Sequence, residues 1–259
     1  MTSGQPGVIF LLRKGKSVAS NVSKGMAIKG SRLRMQQLAN SSLWRERLNV
    51  ALQDELKWLS PLGEDNFAEY QLNHEEMLHN FMISGREAES MFPFWPWRQP
   101  QWGGIALGKQ GTLYLLEAKS HMGELKSKLA AADPKSRELI QKTLAKIKAE
   151  AYPQGNYDSW LWEYYQFANR LAFLHLLNDT RLLKRLHLRE VRLVFVNFAN
   201  DVTMGKLSTT EEQWQNSYFG TEAADGMLEK ILGTREIPER LVLLSFNITT
   251  GKINFMKNI

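Results

Sequence analysis

The sequence contains no cysteine. Disulfides and thiolate metal sites are therefore excluded, and any metal chemistry would have to use carboxylates and histidines. Long hydrophobic runs are missing as well. No stretch approaches the roughly 20 apolar residues needed to span a bilayer. The N-terminal "GVIFLL" is short, and basic residues follow it instead of preceding it, unlike a secretory leader. A soluble, cytoplasmic protein is expected, with no membrane partner. Glycine-rich phosphate loops are also absent: Gly103, Gly104, Gly108 and Gly111 lead to no Walker lysine and form no dinucleotide fingerprint. No Ser-His-Asp spacing stands out, and there are no repeats or low-complexity tracts.

Acidic residues are scarce at one end of the chain. Residues 1–47 carry nine lysines and arginines against a single acid, Glu46, so this stretch more than accounts for the net charge of +6. A basic arm on a near-neutral body suits a polyanion, with nucleic acid the usual one, or else is simply a solvated tail. Arg13, Lys14, Lys16, Arg32 and Arg34 are the candidate phosphate contacts on the arm, with Arg98 further along. The oligomeric state is not legible.

What is present fits one large α/β domain. The 259 residues are 43% hydrophobic, enough for a single sizeable core. Residues 1–42 are expected to be a largely flexible arm with one short helix at "RLRMQQLA", and residues 43–259 the domain. Helical periodicity runs from Trp44 to Leu59 until Pro61 and Gly63 stop it. A second helix is expected from about Asn66 to Met82, carrying Glu69. "MFPFWPWRQPQW" (91–102) should be extended, because proline and the residue before it both avoid helix. Its Trp95, Trp97 and Trp102, with Arg98, are either core packing or a surface for stacking on bases. "GGIAL" and "GTLYLLEAK" form a hairpin. Asp133-Pro134 opens a helix, "SWLWEYYQFANRLAFLHLLN" is one long apolar helix, and Thr209 and Glu212 have the spacing of a capping box. "VRLVFVNF" and "RLVLLSFN" are buried strands. The sum is a mixed sheet flanked by helices.

The chemistry concentrates at "LLEAK". Residues two apart on a strand share a face, so Glu117 and Lys119 point the same way, with Ala118 opposite. On its own such a pair is also what an ordinary salt bridge looks like. A carboxylate beside an amine becomes a hydrolytic site for phosphodiesters when further carboxylates converge on it.

The hairpin ending in "LLEAK", followed by "SHMGEL", with "WPWRQPQWGGIAL" upstream and "YYQFANRLAFLHLL" and "RLVFVNF" downstream, resembles the PD-(D/E)XK nuclease superfamily over about residues 65–200. The resemblance implies a restriction-endonuclease-like fold, DNA as substrate and Mg²⁺ (or Mn²⁺) as cofactor. By it, Glu117 matches the metal-binding carboxylate and Lys119 the catalytic lysine. Glu69 is the candidate for the upstream acid, in competition with Glu75, Glu76 and Glu87, and Gln166 is the polar helix residue beside the site. One departure stands out. The first acidic residue should fall just after "PQW", where this chain has Gly103 and then Gly104, and glycine offers no side-chain oxygen. Glu124 and Asp158 are the possible stand-ins. His121 and Glu124, three apart, could share a helical face and a metal. His175, in an apolar helix, is read as core. An impaired nuclease, or an inactive relative that binds nucleic acid or a protein partner, follows from the glycine.

Overall fold

The computed structural model describes residues 24–257. The elements run α1 (Gly30–Asn40), α2 (Ser42–Leu52), β1 (Leu56–Ser60), α3 (Glu75–Asn80), α4 (Gly85–Met91), β2 (Gly104–Gly108) and β3 (Thr112–Lys119). They continue α5 (Pro134–Ala151), α6 (Tyr157–Trp162), α7 (Tyr165–Leu177), α8 (Thr180–Arg185), β4 (Glu190–Ala199), α9 (Glu211–Phe219), α10 (Met227–Leu232), β5 (Leu241–Asn247) and β6 (Ile253–Phe255). The six strands lie in one sheet in chain order. β2 runs antiparallel to both of its neighbours, β1 and β3; β4 and β5 continue parallel to β3, and β6 closes the edge antiparallel. The mixed α/β architecture expected from the sequence is therefore present. Among the described residues, no helix is long and apolar enough to cross a membrane.

Alternation along the strands divides the core in two. Leu113, Leu115, Leu193, Phe195 and Leu243 face a large cluster built with α5, α6 and α7. Tyr114, Leu116, Val194, Val196 and Leu244 face a smaller one built with α1 and α2. Glu117 and Lys119 continue the row of Leu113 and Leu115, so they point to the α7 side at the C-terminal end of β3.

The boundary expected at residue 42 moves. α1 is part of the domain, because Met35, Leu38 and Ala39 are buried against the sheet and Leu33 is buried as well. Gln36 ties down the segment before it, accepting from Ala27 N at 2.8 Å and donating to Gly25 O at 3.0 Å. The four basic residues at 24, 29, 32 and 34 hid an apolar stripe. Leu38 is fully buried, so Leu38→Ala should lower the unfolding free energy by about 2–5 kcal/mol in urea. A loosely tethered arm would show no change.

Three helix expectations also change. The pattern Leu48, Leu52, Leu56, Leu59 is not one helix: α2 ends at Gln53, whose φ of 54° is left-handed, and Leu56 onward is β1. No α-helix begins near Asn66, because a single 3-10 turn at Gly63–Asp65 ends there and Asn66 and Phe67 both have positive φ; α3 starts only at Glu75, and Glu69 lies in an extended segment. The long apolar helix is broken at Glu163–Tyr164 into α6 and α7. The capping box shifts by one residue to Thr210 and Gln213, leaving Thr209 buried and accepting from Met122 N. The helix after Asp133 forms as expected, with the Asp133 carboxylate accepting from Ser136 N.

Candidate active site

All eight residues of β3 are buried, so the two charged side chains at its end must find partners inside the protein. Lys119 Nζ donates to Gln166 Oε1 at 2.6 Å. The amide of Gln166 donates in turn to Glu117 Oε2 at 3.3 Å. Glu117 Oε1 accepts from Arg170 Nε at 2.5 Å. Three of the sequence-predicted residues are thus brought together, joined by an arginine that sequence reasoning missed.

The break between α6 and α7 aims Gln166. Tyr164 forms a short parallel bridge with Ser127, and Ser127 Oγ accepts from Gln166 N at 2.7 Å. Ser127 therefore caps the first turn of α7 and places residue 166 over the end of β3. Arg170, one turn on, shares its face. Its guanidinium also donates to Gln101 O at 2.6 Å and Asn169 Oδ1 at 2.9 Å, and stacks 4.5 Å from the Trp102 ring. A signal for it existed: an arginine inside the apolar run "FANRLAFLHLL" stays buried only if paired.

Glu69 arrives from the extended segment between β1 and α3. It lines the same cavity of about 350 Å³ as Arg32, Gly103, Glu117, Lys119 and Gln166. Arg32 Nε lies 3.6 Å from its carboxylate. Burial, aided by the charge of Glu117 and opposed by Arg32, pushes its pKa up from the ordinary value to about 7. Burial also pulls the Lys119 ammonium below the usual lysine range, against the upward pull of Glu117 and Glu124. Near neutral pH the site therefore holds one carboxylate poised to take or give a proton.

Because the Glu69 pKa is raised on folding, its contribution to stability is fully present below about pH 4.5 and is lost as pH rises through about 7. Glu69→Gln mimics the protonated form. Denaturant unfolding between pH 4 and 9 should show the two proteins alike in acid. A gap on the order of 3 kcal/mol should then open in favour of the glutamine variant by pH 8.

The other candidates lie elsewhere. Glu75 and Glu76 are exposed on α3, and Glu87 caps α4 and pairs with Arg185. Asp158 is exposed on α6. Glu124 accepts from Ser120 N at 2.9 Å and from Ser31 Oγ at 3.1 Å, pinning its own turn to α1, with His121 3.6 Å away. Neither stand-in takes the place of an acid at 103. Of the phosphate contacts, Arg32 lines the cavity and Arg98 is exposed. Arg34 must be corrected: it is a buried residue of α1 and donates to the fully buried Asp201 at 2.5 Å, a structural ion pair with no face for DNA. Arg13, Lys14 and Lys16 lie outside the described residues. His175 lies on α7 beside the buried Leu174 and Leu177 but is itself exposed, so it is not core.

The donor set does not fit a resident Mg²⁺. Such an ion keeps its waters but needs carboxylate oxygens free to face it. Here Glu117 has both oxygens engaged by Arg170 and Gln166, Glu69 is half-protonated near pH 7, and Gly103 contributes none. Among the described residues, no group of three or more His, Asp or Glu side chains converges to hold a metal. No family model, no curated protein and no solved structure matches this chain.

Proposed function

We propose that the chain is a nuclease-like nucleic-acid-binding protein of the PD-(D/E)XK type, cytoplasmic, with a phosphodiester-binding pocket whose hydrolytic capacity is curtailed at Gly103. The observation that carries it is the hydrogen-bonded set Lys119–Gln166–Glu117 in one cavity with Glu69. A bare E-x-K pair on a strand has no reason to meet a glutamine from the third following helix and a second carboxylate. The order of a strand hairpin ending in E-x-K, the helices α5 to α8 and a parallel strand also agrees with a restriction-endonuclease-like core.

Within this site Lys119 and Arg32 supply positive charge for a phosphate. Glu69 is the group able to exchange a proton with an attacking water near neutral pH. Arg170 holds Glu117 in place and offsets its charge. The same Arg170–Glu117 pair and Gly103 favour binding over turnover.

Salt-dependent DNA binding and cleavage, assayed with plasmid and linear DNA with Mg²⁺ or Mn²⁺ added, test this. Wild-type protein should bind DNA, with affinity falling as salt rises, and should cleave weakly or not at all. Lys119→Ala should weaken binding, and any cleavage should disappear in Glu117→Ala and Lys119→Ala. Wild-type protein that fails to bind DNA even at low salt would overturn the proposal. Vigorous wild-type cleavage, lost in both variants, would make the chain an ordinary active nuclease and refute only the curtailment.

A further inference from the structure

The tryptophan-rich segment between α4 and β2 divides its aromatic residues unevenly. Trp95 and Trp102 are buried and pack edge-on against Phe173. Trp97 stands out with 42% of its surface exposed, and among the described residues no other ring stacks on it. Arg98 beside it is exposed and forms no ion pair among the described residues. A solitary exposed tryptophan is common enough, but here its backbone is held fast. Asn73 Nδ2 donates to Trp97 O at 2.7 Å, Gln99 N donates to Gln71 Oε1 at 3.1 Å, and Trp102 N donates to Tyr70 O at 3.0 Å. Residues 70–73 and 97–102 thus run side by side in opposite directions.

This double segment starts at the cavity and ends at Trp97. At one end lie Glu69, Gln101 and Gly103, all lining the cavity. At the other, four residues from Gln101 and so within about 14 Å of it along the chain, lies the exposed indole with its neighbouring guanidinium. Buried anchors on both sides, and prolines at 96 and 100, stiffen the stretch between, so little ordering is left to a ligand.

We infer that Trp97 and Arg98 form a stacking platform for an unpaired base beside the phosphate-binding cavity, so that the preferred ligand is single-stranded nucleic acid or a duplex with a single-stranded stretch. This rests on the nucleic-acid reading of the cavity. The indole face accepts any base, and an extended strand leaves its bases free to reach it, whereas a duplex keeps them stacked inside. Arg98 adds a contact for the backbone of the same strand.

Fluorescence anisotropy with a labelled oligothymidylate of about a dozen nucleotides, and with a duplex of the same length, tests the platform. Wild-type protein should prefer the single strand. Trp97→Ala should weaken single-strand binding at least about fivefold, the loss of one stacked base, and leave duplex binding unchanged. Trp97→Phe should keep most of the affinity. The slope of affinity against salt should be unaltered in both, since no charge is removed, and should become shallower in Arg98→Ala. If wild-type protein binds nucleic acid but Trp97→Ala binds the single strand equally well, the platform is wrong and the cavity reading survives. If wild-type protein binds neither oligonucleotide, both fall. Circular dichroism of the variants should match wild type, because the side chain exchanged is exposed.

Discussion

Gly103→Asp should turn a weak or silent site into one that cleaves DNA with added Mn²⁺ or Mg²⁺, faster than the parent by on the order of 100-fold or more. Position 103 lines the cavity together with Glu69 and Glu117. A side chain can be accommodated there. A Cβ would come 3.3 Å from Leu116 O and no closer than 3.7 Å to anything else, and the glycine does not occupy the left-handed region. The contact is tight but asks for a shift of only a few tenths of an ångström. Gly104 differs, because a Cβ there would run into Trp58 at 2.9 Å and Met35 at 3.1 Å. Only the first of the two glycines faces the site. An aspartate at 103 would bring a third carboxylate to the cavity, one not bonded to Arg170, and carboxylate oxygens are the ligands a divalent cation takes. Two measurements separate the gain of a metal site from a general change in the pocket. Titration calorimetry with Mn²⁺ should show binding to the aspartate variant that wild type lacks, and Gly103→Asn, equal in size but uncharged, should restore neither binding nor cleavage. An aspartate variant that binds no Mn²⁺ and cuts no DNA would show that more than one carboxylate is wanting.

The parts of the site legible in the sequence are those that depend on a local period. Glu117 and Lys119 share a face because strand side chains alternate, and the apolar residues before them mark the strand. The hairpin was legible from Gly108 and Gly111, the latter at φ +79°. Glu69 reaches the cavity from an extended segment and not from the helix expected of it, since two successive left-handed residues at 66 and 67 leave no trace in an apolar pattern that still counts as helical. β1 hid for the same reason. Leu52 and Leu56 keep helical spacing across a turn made by Gln53, which is neither glycine nor asparagine. α1 hid behind its charge, for Arg34 is spent on Asp201 inside the fold, not on solvent or a polyanion. The break before α7 was out of reach, because it is set by Ser127, nearly forty residues upstream, and no local rule links the two. It is this remote contact that decides where Gln166 and Arg170 point.

Arg170→Met should destabilise the protein by about 3–5 kcal/mol, with little of the loss due to packing. The guanidinium is buried, with side-chain exposures of 4% for Arg170 and 6% for Glu117, and methionine fills much of the same volume. What the variant loses is, among the described residues, the only cation bonded directly to Glu117. The carboxylate is then left inside the protein with a neutral amide and the ammonium of Lys119, which burial already disfavours. Removing both partners is a different perturbation. Arg170→Met combined with Glu117→Leu leaves no buried charge to compensate, and a desolvated pair gains little over well-packed apolar groups. The double variant should therefore be more stable than Arg170→Met alone, by about 2 kcal/mol or more, although it carries an extra substitution. Urea unfolding of the four proteins in the cycle measures this directly. If the two losses merely add, Arg170 does not stabilise the fold through Glu117, and its contacts with Gln101 O and the Trp102 ring carry its contribution instead. The predicted non-additivity has a functional side. A carboxylate that depends this strongly on an internal arginine exchanges it for a cation only at a cost, so Arg170 weakens Glu117 as a metal ligand unless a further acid, such as an aspartate at 103, shares the ion.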